Sequence, residues 1–260
     1  EKKPLAIRHV PSYYEYAKGQ KEYSTSTFYK DQLEYWKGKL SGELVKTQFP
    51  LDQHNHDLEE QTQQMTQTFS ERSFRNIKKI SRRHGSSNFT IVASVLSILL
   101  HRINGQEDLI MGTPIIDRPS KWEESMGLFL NTLPLRIRVQ SEQTIDEVIR
   151  ETSQSVRELF MHQDVPFEKI VEVVQPNRTG NSNPLFDILV NYISYEQNQE
   201  RLNDLEVERK KFNDSKAKFL LTFYFIDDQD SLSVRVVFQG QKIHETRIQT
   251  FLHQFNTVCE

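Results

Sequence analysis

The chain has 260 residues, 36% of them hydrophobic and 27% charged, with a formal net charge of −3. That is the balance of a soluble globular protein with ample material for a core, in one large domain or two small ones, and it gives no reason to expect nucleic acid or an anionic membrane as partner. A single cysteine, Cys259, excludes an internal disulfide framework and fits a reducing cytoplasm.

No apolar run approaches the roughly 20 residues of a spanning helix, and the N-terminus lacks the apolar core of a signal peptide. The chain opens without a Met and stops on a helical pattern, so it reads as a piece of something longer. Residues 1–23 are polar and rich in tyrosine (Tyr13, Tyr14, Tyr16, Tyr23) and are expected to hold at most a helical turn. From Thr27, the apolar positions Phe28, Leu33, Trp36 and Leu40 predict an amphipathic helix, capped by Ser24 or Ser26 and followed by Gly42. Residues 46–61 read as a polar loop carrying His54 and His56.

Met65 to Phe69 resembles a short strand. Ser70-Glu71 opens a helix with Phe74, Ile77 and Ile80 on one face, closed by Gly85. Residues 89–103 are apolar around most of a helical circumference and therefore predict a buried helix, ended by Gly105. A strand over 107–116 leads to a turn at Asp117-Arg118-Pro119-Ser120.

The stretch Trp122 to Arg136 is the most unusual. Asn131 and Thr132 interrupt an apolar run, so their polar groups are either satisfied locally or face a cavity. Leu133 to Val139 continues as a strand. Thr144 caps a long helix with Ile145, Val148, Ile149, Val156, Leu159 and Phe160 at a 3.6 period. Pro166 begins another helix, with Asp164 placed to accept its first N–H groups and Phe167, Ile170, Val171 and Val174 inside. Phe186 to Ile193 reads as a central strand. After a polar stretch with a weak strand at Leu205 to Val207, strands 219–226 and 232–238 form an antiparallel hairpin. A last helix carries Ile248, Phe251, Leu252 and Phe255. Without an internal repeat, the fold class is α/β: a mixed sheet covered by helices.

Chemistry is sparse. None of the eight histidines has metal-ligand company, and His54 and His56 belong to a solvated loop. His162 and Asp164, two residues apart at a helix end, diverge and favour packing and capping over a catalytic dyad. No nucleophile elbow, phosphate loop or dinucleotide fingerprint occurs. Cys259 lies at a frayed helix end. Arg72, Arg75, Lys78, Lys79, Arg82 and Arg83 form the largest cluster of one sign: a solvated helix face, or a docking patch for an acidic partner. No catalytic residue and no metal ligand is assigned.

Three ordered motifs carry a resemblance. Met126 to Arg136, MGLFLNTLPLR, is similar to the Gly-x-Phe-Val-Asn-Thr-x-x-x-Arg motif of nonribosomal peptide synthetase condensation domains, through Gly127, Phe129, Asn131, Thr132 and Arg136. His162 to Glu168 (His162, Gln163, Asp164, Val165, Pro166, Phe167, Glu168) matches the next motif. Asn177 to Asp187 resembles the last, keeping Arg178, Asn183, Pro184, Leu185 and Phe186, with Thr179 and Ser182 as departures. YYEYAKGQ, QLEYWKGKLSG and GTPIIDR, which ends on Arg118, resemble the family's flanking segments. Phe219-Leu220-Leu221 departs from the family's frequent Phe-Asp-Leu.

The resemblance implies a chloramphenicol-acetyltransferase-like lobe, the C-terminal one of a pair that encloses a tunnel. Residues 113–132 would be the loop that floors that tunnel, and about 192–217 would form the crossover, or latch. Gly127, Phe129, Asn131 and Thr132 would line or brace it. Asn131 would either reach the reacting thioester or only satisfy backbone groups; the sequence leaves both readings open. HQDVPFE, Arg118, Arg136, Arg178, Asn183 and Pro184 would be structural.

The family's His-His-x-x-x-Asp-Gly motif is absent here and belongs to the N-terminal half, so the fragment alone is expected to be inactive. The implied partners are that N-terminal lobe, the adjoining adenylation domain and carrier proteins. The carriers' phosphopantetheine arms bring donor and acceptor, and the lobe itself binds no cofactor. The alternative is a non-catalytic condensation-like module that only docks carriers. An apolar patch where the other lobe would sit is expected to promote self-association.

Overall fold

The computed structural model describes residues 10–52, 62–116, 118–176, 183–194 and 217–260. Strands β1 (Thr62–Thr68), β2 (Asp108–Ile116), β3 (Leu130–Arg138), β4 (Ile188–Ser194), β5 (Leu221–Asp227) and β6 (Leu232–Gln239) form one sheet in the order β1-β6-β5-β4-β2-β3. β4 runs parallel to both β2 and β5, and the other pairings are antiparallel. β4 is therefore central, as its apolar character predicts.

The helices are α1 (Tyr13–Tyr23), α2 (Thr27–Lys39), α3 (Glu71–Arg83), α4 (Asn88–Asn104), α5 (Ile145–Met161), α6 (Phe167–Val174) and α7 (Glu245–Cys259). α4 packs against α3, α5 and α7 at once, which explains why it is apolar nearly all round. Its buried Ser94 and Ser97 hydroxyls donate to the carbonyls one turn back, so they cost little in the core. Gly105 ends α4 at φ 71°, a left-handed conformation that favours glycine. Among the described residues no single helix is long and apolar enough to cross a membrane.

Several expectations are corrected. The N-terminal segment holds the full helix α1, not an isolated turn. Ser12 and Glu15 form a reciprocal capping box, and Tyr16 is buried against Trp122 and Phe129. α1 buries one residue, too few for a periodic signal. Ile145 and Phe160 lie on the exposed side of α5 despite fitting its period, because they flank the stripe that packs. Cys259 is not frayed but buried against the core, and burial pushes its thiol up to about 12.

Residues 113–132 are not a loop throughout: 113–116 and 130–132 continue the β2–β3 ladder, where Ile115 faces Asn131 and Pro114 faces Thr132. The connection proper spans 117–129. His54, His56, the 205–207 strand, Arg178, Thr179, Ser182 and nearly all of the proposed latch lie outside the described residues.

Candidate functional site

The three motifs converge at the end of the sheet built from β2, β3 and β4. Asn131 is the hub. Its Nδ2 donates to the carbonyls of Gln163 (3.0 Å) and Val165 (2.8 Å). Its Oδ1 accepts the N–H of Thr132 (3.0 Å) and of Phe167 (3.1 Å). Two donors and two acceptor positions are the full capacity of an amide side chain, so Asn131 braces backbone and has nothing left to offer a substrate in this arrangement.

The first turn of α6 is satisfied differently from the sequence expectation. Pro166 sits at the cap position, φ −59° and ψ 143°, and has no side chain to accept a bond. Asp164 does not take the role. It turns away to accept from Tyr23 Oη and Gln32 Nε2, both at 2.8 Å. Asn131, from the neighbouring strand, supplies the missing acceptor to Phe167.

His162 and Asp164 do diverge. The His162 ring stacks on Tyr35 with centroids 3.6 Å apart, and its Nδ1 lies 2.7 Å from the Glu158 carbonyl. Trp36 Nε1 donates to the His162 carbonyl at 2.8 Å. Tyr35 also donates to Glu158 (3.1 Å), and its hydroxyl is held well above the usual tyrosine range, chiefly by burial and then by that carboxylate. Burial pushes Glu158 up, but the bonds from Lys39 and Gln154 outweigh it and hold the group below the usual range. Gln163 enters through its backbone carbonyl, and Glu168 is exposed at the start of α6.

Arg136 is 8% exposed and forks onto Asp108 through Nε (2.8 Å) and Nη2 (2.6 Å). Its Nη1 donates to the carbonyls of Lys39 and Ser41, both at 2.9 Å, where α2 ends. It thereby ties the strand to the terminal carbonyls of that helix.

Asn183 accepts the N–H groups of Leu185 and Phe186, which closes a tight turn before β4; Pro184 lies within that turn. The turn delivers the Phe186 ring onto Gly112, where a Cβ would come within 2.1 Å of it. Phe186 also meets Phe167 and Phe219, with centroids 5.5 and 5.6 Å away. The three motifs are thus one packed unit.

The 117–129 connection is fastened to α1. Tyr13 Oη donates to the Leu128 carbonyl (2.8 Å), Ser125 Oγ donates to the Pro11 carbonyl (2.7 Å), and Trp122 and Phe129 close on Tyr16. Arg118 lies 4.5 Å above the Phe129 ring and donates to the Glu123 carbonyl. Gly127 lies against Tyr13, where a Cβ would meet the ring at 2.1 Å. Phe129 therefore faces α1, while Ile116, Met126, Leu128 and Leu130 are exposed at the hairpin tip. Sequence reasoning missed Tyr13 and Tyr16 as the anchors of this connection, and Tyr23 as a donor to Asp164; the Ser12–Glu15 capping signature was the available clue.

The basic row of α3 is only partly engaged. Arg75 pairs with Glu71 (3.4 Å), Arg83 with Asp146 (3.6 Å), and Lys78 lies over Phe74 and donates to the Gln229 carbonyl. Among the described residues no cluster of His, Cys, Asp or Glu is suited to a metal ion.

A mixed sheet with helices packed on it, bearing these interlocked motifs, is a chloramphenicol-acetyltransferase-like α/β lobe. The family profile described as Condensation domain matches residues 1–260. The chain belongs to the condensation-domain family. It is 29% identical over 265 aligned positions to a plipastatin synthase polypeptide of Bacillus subtilis (strain 168), covering 99% of this chain and 7% of that protein. It is 30% identical over 252 positions to malpinin synthetase of Mortierella alpina, covering 96% and 3%.

Among solved structures, the X-domain from teicoplanin biosynthesis superposes with a TM-score of 0.82 at 20% identity, covering 100% of this chain and 60% of that one. The condensation domain of the monacolin K polyketide synthase MokA gives 0.79 at 19%, covering 98% and 62%. The chain thus spans a small part of its curated relatives and about three-fifths of these structural ones.

Proposed function

We propose that the chain is the C-terminal lobe of a condensation domain from a nonribosomal peptide or hybrid peptide–polyketide synthetase. The complete domain joins a donor acyl or peptidyl thioester to an acceptor aminoacyl thioester by forming an amide. The acceptor amine attacks the thioester carbonyl, a C–N bond forms, the C–S bond breaks, and the donor carrier's phosphopantetheine leaves as a thiol. This lobe supplies the tunnel floor (117–129 with the hairpin ends), the latch and a carrier-docking surface, to which the exposed cations of α3 contribute.

The observation that carries the reading is the Asn131 brace. It spends the whole polar capacity of the Asn131 side chain on backbone, most of it on HQDVPFE, which suits a wall whose job is to hold shape and exclude water while proton transfer happens elsewhere. Phe129, Gly127 and Thr132 serve that wall as packing and spacing elements. The reading also supports an adenylation domain and carrier proteins as neighbours and a cytoplasmic setting.

The same saturation favours a second reading, a non-catalytic module that docks carriers. One experiment separates them. The chain is reconstituted with the sequence that precedes it in its parent protein, and with donor- and acceptor-loaded carriers, and amide product is followed by mass spectrometry. Product that needs both halves, and a preceding half with an intact His-His-x-x-x-Asp-Gly, supports the catalytic reading. No product from a folded complex whose preceding half lacks that motif supports the module. Product from this chain alone overturns both.

A further inference from the structure

A histidine and a serine that belong to none of the three motifs meet where α4 ends. His101 stands in the last turn of α4, with Nδ1 2.9 Å from the Gln106 carbonyl and Nε2 3.3 Å from Ser141 Oγ. A carbonyl can only accept, so in the neutral imidazole Nδ1 carries the proton. Nε2 then presents its lone pair to the Ser141 hydroxyl, which donates. That is the tautomer of a general base facing a nucleophile, with a backbone oxygen where a triad has its orienting carboxylate. A separation of 3.3 Å is usual for such a pair without substrate.

The surrounding backbone holds both partners of the imidazole. The Gln106 side chain accepts from the Gln48 N–H (2.7 Å) and Asn104 Nδ2 (2.9 Å), and it donates to the Lys46 carbonyl (3.1 Å). The Gln106 N–H donates to Asn104 Oδ1 at 2.8 Å, so the carbonyl that orients His101 belongs to an anchored turn. Ser141 sits in a second turn, just after β3. The Gln143 N–H donates to the Gln140 carbonyl (3.1 Å), and the Gln140 N–H donates to Gln143 Oε1 (2.9 Å). The Val139 N–H donates to the Glu107 carbonyl at 2.8 Å, which ties the two turns together. The dyad is thus positioned by backbone before any substrate arrives.

Both side chains line a groove of about 470 Å³, within the range of small-molecule sites. Its apolar lining is Ile98, Val139, Ile145 and Val148. Ile145, 58% exposed at the start of α5, has a use here that the packing of the helix does not give it. The charged members, Arg102 and Glu107, cancel, so the groove suits a neutral acyl group.

We propose that Ser141 and His101 form a hydrolytic site, a Ser–His dyad that cleaves neutral, short-chain carboxylic esters. Ser141 Oγ attacks the ester carbonyl carbon while its proton passes to His101 Nε2. The tetrahedral intermediate collapses, the C–O bond to the alcohol breaks, and His101 returns the proton to that leaving oxygen. Water then attacks the acyl-serine by the same route, which releases the carboxylic acid and restores the hydroxyl. Arg102 is the cation on hand for the oxyanion. This inference does not rest on the function proposed above.

The test uses p-nitrophenyl butyrate for turnover and a fluorophosphonate for labelling, with the labelled residue located by peptide mass spectrometry. The wild type is expected to release p-nitrophenolate at least about a hundredfold faster than Ser141→Ala, and to carry the phosphonyl group on Ser141. His101→Gln is expected to slow both reactions by a similar factor. Ser141 is exposed in its turn, so Ser141→Ala is expected to keep the wild-type circular dichroism. Should His101→Gln not fold, the labelled position and the Ser141→Ala comparison decide alone. No label on Ser141, equal turnover by the wild type and Ser141→Ala, or wild-type labelling of Ser141 in a folded His101→Gln protein overturns the proposal.

Discussion

Asn131 caps a helix that begins 36 residues after it, accepting the Phe167 N–H at 3.1 Å while its amide holds the carbonyls of Gln163 and Val165. One side chain thus fixes the distance between the β3 strand and the α6 helix. Asn131→Ala leaves two carbonyls, the Thr132 N–H and one helix N–H without these partners, at a cost of about 2–4 kcal/mol. Asn131→Asp keeps the acceptor but sets a carboxylate oxygen against two carbonyls, so it is expected to be no better. Urea unfolding checks both, as a lower midpoint at unchanged slope.

Arg136→Lys is not a conservative change here. A lysine cannot fork onto Asp108 while also reaching the Lys39 and Ser41 carbonyls. A loss of about 2–4 kcal/mol is expected for Arg136→Lys or Arg136→Met. Asp108→Asn is expected to cost less, because Arg136 keeps both carbonyl bonds. A double-mutant cycle at these positions measures the coupling.

Gly112→Ala is expected to destabilise by about 1–3 kcal/mol, because its Cβ would overlap the fully buried Phe186 ring. Gly127→Ala meets the more exposed ring of Tyr13, which can swing aside. The expected result is a loosened 117–129 connection with little global loss, read as faster proteolysis there and altered Trp122 fluorescence. Phe186→Leu combined with Gly112→Ala is expected to recover part of the stability lost by Gly112→Ala alone.

Cys259 is expected to resist alkylation in the native protein and to react on unfolding, since burial pushes its thiol up from 9.0 to about 12. The folded value is raised, so the unfolded chain loses this proton first as pH rises. Stability from the neutral thiol is fully present below about 9 and is lost as pH climbs toward about 12. Cys259→Ser, whose hydroxyl does not titrate there, is expected to flatten the stability profile over that window in alkaline urea titrations.

The elements with strong periodicity were legible in the sequence. α4 showed as a helix apolar all round, β4 as a strand apolar on both faces, and the caps Ser26, Ser70 and Thr144 stand where local chemistry places them. The motifs that resemble the condensation family were legible too. α1 was not, because its stability comes from three ring contacts, Tyr13–Phe129, Tyr16–Trp122 and Tyr16–Phe129, to a segment more than a hundred residues away.

By itself, the sequence determined the α/β class, the family and the identity of the residues that matter. Only the tertiary structure decided what those residues do. Whether Asn131 faces a cavity or backbone, and whether Asp164 caps α6 or holds Tyr23 and Gln32, depends on which acceptors and donors the fold brings within about 3 Å. A hydrogen-bonding side chain announces its capacity in the sequence, but its partners are long-range neighbours. At Asn131 those partners use all four of its bonds, and so a residue open to two readings became a brace.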